Sequence, residues 1–158
     1  MTTPLRVAAP PLADADTHPD RWRILVLLAV AELLGMSLWF SGNAVAGILQ
    51  ARWQLTGAEV GWLTTMVQLG FVAGTAITAV LNLADIVPAK YLFAAAAGFG
   101  ALGNAWLAVA SSYEPALISR FVAGFCLAGV YPPAMKMAAT WFRARRGLAV
   151  GTVVGART

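Results

Sequence analysis

Residues 60–81 read VGWLTTMVQLGFVAGTAITAVL. The run holds no charged side chain, and none occurs between Glu59 and Asp85. A helix rises about 1.5 Å per residue, so roughly 20 apolar residues cross a hydrocarbon core of about 30 Å. This run is long enough to span. A buried helix of a soluble protein is usually shorter and keeps a polar face. Just upstream, Thr56-Gly57-Ala58-Glu59 has the form of a capping box, with Thr56 for the third amide and Glu59 reaching back. Inside the run, Gly70 and Gly74 form a GxxxG pair that lets another helix backbone come close. Gln68 is its bulkiest polar group.

Outward from this run the pattern repeats. A first span is predicted over about 24–49, with Glu32 its one charge, and Asp20 stands where it can cap the helix. No charge lies between Lys90 and Glu114, which predicts a third span over about 91–110. That span is rich in small residues, Ala94 to Ala97, Gly98, Gly100 and Gly103, a composition suited to tight helix packing. Ser111-Ser112-Tyr113-Glu114-Pro115 reads as a helix start, with Pro at an early position. The fourth span covers about 115–140 and contains Pro132-Pro133, which should break it and free carbonyls. From Gly147 a fifth apolar segment begins, with Gly147, Gly151 and Gly155 in one register, and the sequence stops at Thr158. About ten uncharged residues reach only about 15 Å. The expected fold is all-α: a polytopic membrane helix bundle of four transmembrane helices plus an incomplete fifth.

Composition agrees. The 158 residues are 59% hydrophobic and 11% charged, against about 25% charged in soluble domains. The net charge of +4 comes from basic residues beside apolar runs, with no basic stripe interleaved by aromatics, so nucleic acid is not an expected partner. The lone Cys126 excludes an intrachain disulfide. Residues 1–20, with Pro4, Pro10, Pro11 and Pro19, have the composition of a disordered tail; His18 within it has no expected role. There is no HExxH, GxSxG or CxxC pattern. An enzyme, a metal site and a cofactor are therefore not expected.

Orientation follows from the basic residues. Arg6, Arg21, Arg23, Lys90, Arg143, Arg145 and Arg146 fall on one side and Arg52 alone on the other, with Arg120, Lys136 and Arg157 inside spans. The positive-inside rule puts the N-terminus and the 82–90 connector in the cytoplasm of a bacterial inner membrane.

Two buried charges are candidate site residues. Glu32 lies near the midplane, about 12 Å inside the first span. A charge there must face the bundle interior, pair or carry a proton. It reads either as a proton-coupling or substrate-contact carboxylate or as a structural acid paired with a neighbouring helix. Arg120 keeps its proton and demands an anionic partner or backbone carbonyls. Gln68, Asn43 and Asn104 are spanning-helix amides, suited to interhelical hydrogen bonds or to substrate contact.

Three stretches together resemble the major facilitator superfamily. Leu83-Ala84-Asp85-Ile86-Val87-Pro88-Ala89-Lys90 is similar to its signature loop between helices two and three; Asp85 and Lys90 match, whereas Leu81, Ile86 and Ala89 depart from the pattern. Arg120 with Gly124 and Gly129 resembles its fourth-helix motif. Trp141 to Gly151 resembles its junction between helices four and five. The resemblance covers residues 21–158. Leu38 to Asn43 and Gly129 to Pro133 look like permeases of the cyanate or nitrate/nitrite type. The family has twelve helices in two halves, and here four and part of a fifth are present. The resemblance implies secondary transport of a small molecule or anion, coupled to protons, with Asp85 and Lys90 as gating-loop residues and Arg120 in coupling or bundle orientation. It also implies that Glu32 and Arg120 face one polar interior. Their depths differ by roughly 10 Å, so a water- or Gln68-bridged network is expected instead of a salt bridge.

Two alternatives remain. One is a small four-helix dimeric drug transporter using Glu32, the other a four-helix membrane enzyme. On the family reading the chain by itself should insert into the bilayer but not transport, because the second half of the site is missing.

Overall fold

The computed structural model describes residues 19–142 and 146–155. Most of the expected tail, with Arg6 and His18, lies outside the described residues, as do Arg143, Arg145 and Arg157. Among the described residues seven helices follow one another: α1 Arg21–Trp53, α2 Gly57–Val80, α3 Leu83–Ile86, α4 Ala89–Val109, α5 Tyr113–Leu127, α6 Tyr131–Trp141 and α7 Arg146–Gly155. Four stretches are long and apolar enough to cross a membrane: α1, α2, α4, and α5 with α6 taken together as Tyr113–Trp141. The chain is a multi-pass helical membrane bundle.

The first helix is longer than its apolar run suggested. Its 33 residues extend to about 50 Å, well beyond a hydrocarbon core. Its start is not capped as expected: the Asp20 side chain makes no cap hydrogen bond and instead lies 3.5 Å from Arg23 Nη1. The helix ends where Gln54 turns left-handed at φ 53°, and the Leu55 amide donates back to Gln50 O at 3.0 Å. At α2 the capping box forms in full. The Thr56 amide donates to Glu59 Oε2 at 2.8 Å and the Glu59 amide to Thr56 Oγ1 at 3.3 Å. Asn82, with φ 50°, makes the turn into α3; a short amide side chain tolerates that region.

The closest packing is between α2 and α5. A Cβ on Gly70 would stand 2.1 Å from Phe121 O, and one on Gly124 would stand 2.0 Å from Val67 O. The two glycines are reciprocal: each makes room for the other helix's backbone. Gly74, against Phe125 O, continues the row. The small residues of α4 bury one face, Gly100, Gly103 and Leu107, against α1 and α5. Its opposite face leaves Phe99, Leu102 and Val109 exposed, apolar and facing where lipid would be.

The double proline breaks the fourth span as expected. α5 stops at Leu127, residues 128–130 form a turn, and α6 restarts at Tyr131 with Pro132 and Pro133 in its first turn. The missing proline amides fall where a helix start has no intrahelical partner for them. α7 packs through Ala149 in a cluster with Leu25, Ala138 and Phe142. Cβ atoms on Gly147, Gly151 and Gly155 would meet nothing within 4 Å.

Candidate functional site

Arg120 stands in the second turn of α5 and is 1% exposed. Its partners are not carboxylates. Nη1 donates to Leu38 O at 3.0 Å, Asn104 Oδ1 at 3.2 Å and Ser41 Oγ at 3.3 Å, and Nη2 donates to Trp39 O at 2.7 Å. Ser41 Oγ lies 2.6 Å from Asn104 Oδ1 and 2.9 Å from Leu38 O, so its single proton serves one of them at a time. The planar fork of arginine suits such a cluster of oxygens, which an ammonium point charge would not span. The guanidinium therefore ties α1, α4 and α5 together, and Gly42 supplies the space. The three atoms nearest a Cβ on Gly42 all belong to Arg120, with Nε at 2.5 Å. Beside this knot Ser119 Oγ donates to Gly103 O at 2.8 Å, a second buried tie between α5 and α4.

Glu32 goes elsewhere. It is 1% exposed and stands in the wall of a cavity of about 300 Å³ with Met36, Trp39, Phe40, Phe71, Leu127, Val130 and Tyr131. Positions 32, 36, 39 and 40 share one face of α1 by helical spacing. Phe71 comes from α2, and its ring lies 5.8 Å from that of Trp39 at 81°. Leu127, Val130 and Tyr131 come from the break between α5 and α6. Their i, i+3, i+4 spacing would place them on one face of a continuous helix as well, so the wall does not depend on the break. Trp39 joins the two parts: its ring lines the cavity while its carbonyl is held by Arg120.

Glu32 and the carbonyls that hold Arg120 are six to seven residues apart on α1, about 10 Å. Both side chains are buried, and the separation along α1 is the depth difference expected. Gln68 does not bridge them; it is exposed. Arg120 is served by Ser41 and Asn104 instead. Asn43 accepts from Thr64 Oγ1 at 2.9 Å, an interhelical bond between α1 and α2.

At the end of the bundle that carries the α2–α4 connector, Asp85 pairs with Lys136 of α6 at 2.9 Å. The hydrogen bond and charge of Lys136 hold the Asp85 carboxyl below its ordinary range. Lys90 sits over the Tyr91 ring at 4.8 Å from its centroid. The connector is thus joined to the fourth span by a residue that the basic-residue count set aside as intramembrane.

Sequence reasoning did not single out Met36, Phe71 or Tyr131 for the cavity, nor Ser41 as part of the Arg120 knot. The 32, 36, 39 and 40 spacing was a usable signal. The contributions of Phe71 and Tyr131 had none, since they arrive from other helices. Among the described residues no group of three or more His, Cys, Asp or Glu could hold a metal ion.

A family model described as the Major Facilitator Superfamily matches residues 24–157. Neither the curated proteins nor the solved structures give a match.

Proposed function

Since the chain belongs to the major facilitator superfamily, whose members are secondary transporters, we propose that its bundle supplies one wall of a transport path for a small solute at the Glu32 cavity and that Glu32 carries the coupled proton. The observation that supports this most is the position of Glu32, 1% exposed in the wall of a cavity of about 300 Å³ among spanning helices. A carboxylate at that depth is costly unless it faces a cavity, pairs or carries a proton. Arg120 supports the path indirectly by fixing the backbone of Trp39. The narrower cyanate or nitrate/nitrite reading draws no support from the comparisons, and among the described residues no cationic side chain lines the cavity.

The test is chemical modification of the chain in membrane vesicles with a hydrophobic carbodiimide, which attacks protonated buried carboxyls. Mass spectrometry would follow Glu32 across acid and neutral pH, with Glu59 and Glu114 as controls. The expected result is a rate at Glu32 that titrates with pH and falls when a bound solute protects the site. A Glu32 rate independent of pH and of every solute would overturn the proposal.

We further propose that the N-terminus and the Asp85 connector face the cytoplasm, on the strength of the basic-residue bias. In intact cells, with Cys126→Ala as background, Arg52→Cys should label from outside and Ala89→Cys should not. The reverse pattern would invert the topology.

A further inference from the structure

We propose that α2 carries an interface through which two copies of this chain pair side by side in the membrane, about a two-fold axis along the bilayer normal. The inference is independent of the transport reading.

Gln68 carries it. The residue lies about 12 Å along α2 from Val60, near the middle of the charge-free run over 60–81, and its side chain is exposed. Neither end of its carboxamide meets a hydrogen-bond partner among the described residues. Hydrocarbon offers an amide nothing, so a lipid-facing Gln68 would leave its N–H groups and its oxygen unsatisfied.

Its neighbours on the helix belong to the same face. Gly61, Thr65, Gln68, Val72, Thr75 and Ala79 follow at alternating steps of four and three residues, the spacing of a helix–helix seam. By the helical turn they form a narrow stripe on the side of α2 opposite Val67, Gly70 and Gly74, which are buried against α5. Thr65 is half-buried and the other five are exposed. The Thr75 hydroxyl, like the Gln68 amide, has no hydrogen-bond partner among the described residues. The outward face of α4 is built differently. It presents Phe99, Leu102, Trp106 and Val109, large apolar side chains suited to acyl chains. An amide and hydroxyls among small residues are instead the composition of a packed helix contact inside a membrane.

Symmetry identifies the occupant. The basic-residue bias gives every copy one topology, so the α2 helices of two copies run parallel. A two-fold axis along the normal then sets each seam residue against itself. Gln68 meets Gln68, and a carboxamide is both donor and acceptor, so the two amides satisfy each other. Thr75 meets Thr75, whose hydroxyls are likewise self-complementary, and Gly61 lets the backbones come close. A single buried amide of this kind fixes register and pairing in parallel two-stranded coiled coils. Phe71, three residues from Gln68 and four from Thr75, lines the Glu32 cavity, so the partner's α2 would stand beside that edge of the cavity.

The experiment uses the 158-residue chain in lipid vesicles, with energy transfer between donor- and acceptor-labelled copies followed as lipid dilutes the protein. Saturable transfer with dimer stoichiometry is expected. Gln68→Leu should raise the dissociation constant by about 5- to 30-fold, and Gln68→Asn, which keeps the amide, should recover part of that. Gly61→Ile should weaken pairing at least as much. A Cβ there meets nothing within the protomer, so helicity should stay unchanged. Leu102→Ala, on the outward face of α4, should leave pairing as it was. In native membranes, with Cys126→Ala as background, oxidation should join Thr75→Cys to its own copy and leave Val109→Cys single. A chain that stays monomeric at every dilution would overturn the inference. So would pairing that neither Gln68→Leu nor Gly61→Ile weakens, or a Thr75→Cys cross-link to a different polypeptide, which would give the seam another occupant.

Discussion

Gly42→Ala should destabilise the bundle only because Arg120 is there. The new methyl carbon would lie 2.5 Å from Nε, 2.7 Å from Cζ and 3.1 Å from Cδ of Arg120. Carbon contacts settle at about 3.5–4.0 Å, so the guanidinium must withdraw by about 1 Å. Its bonds to Ser41 at 3.3 Å and Asn104 at 3.2 Å have no slack for that, and the bond to Leu38 O at 3.0 Å would be stretched. Hydrogen bonds to a charged group contribute about 1.5–3 kcal/mol in soluble proteins. Interhelical bonds in a membrane average about 0.6 kcal/mol and reach about 1.7. Losing two gives a penalty of about 1–4 kcal/mol, offset by up to about 1 kcal/mol of helix propensity gained on replacing Gly by Ala. In an Arg120→Ala background the obstacle is gone, and the same methyl enters vacated space, so Gly42→Ala should then cost nothing or stabilise slightly. The assay is a double-mutant cycle of unfolding in mixed micelles, read as helicity against denaturing detergent. A coupling of about 1–4 kcal/mol is expected. If the two penalties add to within about 0.5 kcal/mol, the guanidinium does not occupy the Gly42 face and the reasoning fails.

Two further outcomes follow from the same geometry. Gly124→Ala, whose methyl would meet Val67 backbone, should cost about 3 kcal/mol or more or prevent accumulation of folded protein, whereas Gly151→Ala, with open space around it, should stay within about 1 kcal/mol and lean toward stabilising; the same unfolding assay checks both. The Asp85 carboxyl, depressed by Lys136, contributes stability that is present above its unfolded value and lost as pH falls through its lower folded value; carbon-detected NMR should find its titration moved up toward the ordinary carboxylate range in Lys136→Gln, and an unmoved titration would refute the pairing.

Much of the architecture is carried by local chemistry. The four spans were legible because crossing a bilayer requires an uninterrupted apolar length, and the charge-free gap from Glu59 to Asp85 shows it without knowledge of any neighbour. The capping box of Thr56 and Glu59 was legible for the same reason, since both members of the pair lie within one turn. So was the break at Pro132-Pro133, which follows from the missing amide hydrogens. The GxxxG pair at Gly70 and Gly74 announced a close helix crossing but not its partner. α5 completes the crossing with its own Gly124, far away in sequence.

What the buried charges do is decided at longer range. Arg120 needed oxygens, but its residue type cannot say whether they belong to a carboxylate or to helix carbonyls; the approach of α1, permitted by Gly42, selects Leu38 O and Trp39 O. Asp85 invites a basic neighbour such as Lys90, yet the fold places Lys136 of α6 beside it. Gln68 is polar and intramembrane, but its rotation on α2 leaves it exposed and outside the Arg120 network. The depth of Glu32 could be counted along α1. Its aromatic surroundings could not, because Phe71 and Tyr131 reach it from helices whose rotation and crossing are set by backbone packing elsewhere. Length, polarity and local caps are properties of the chain in sequence; which side chains meet in the interior depends on how closely the glycines let the helices approach.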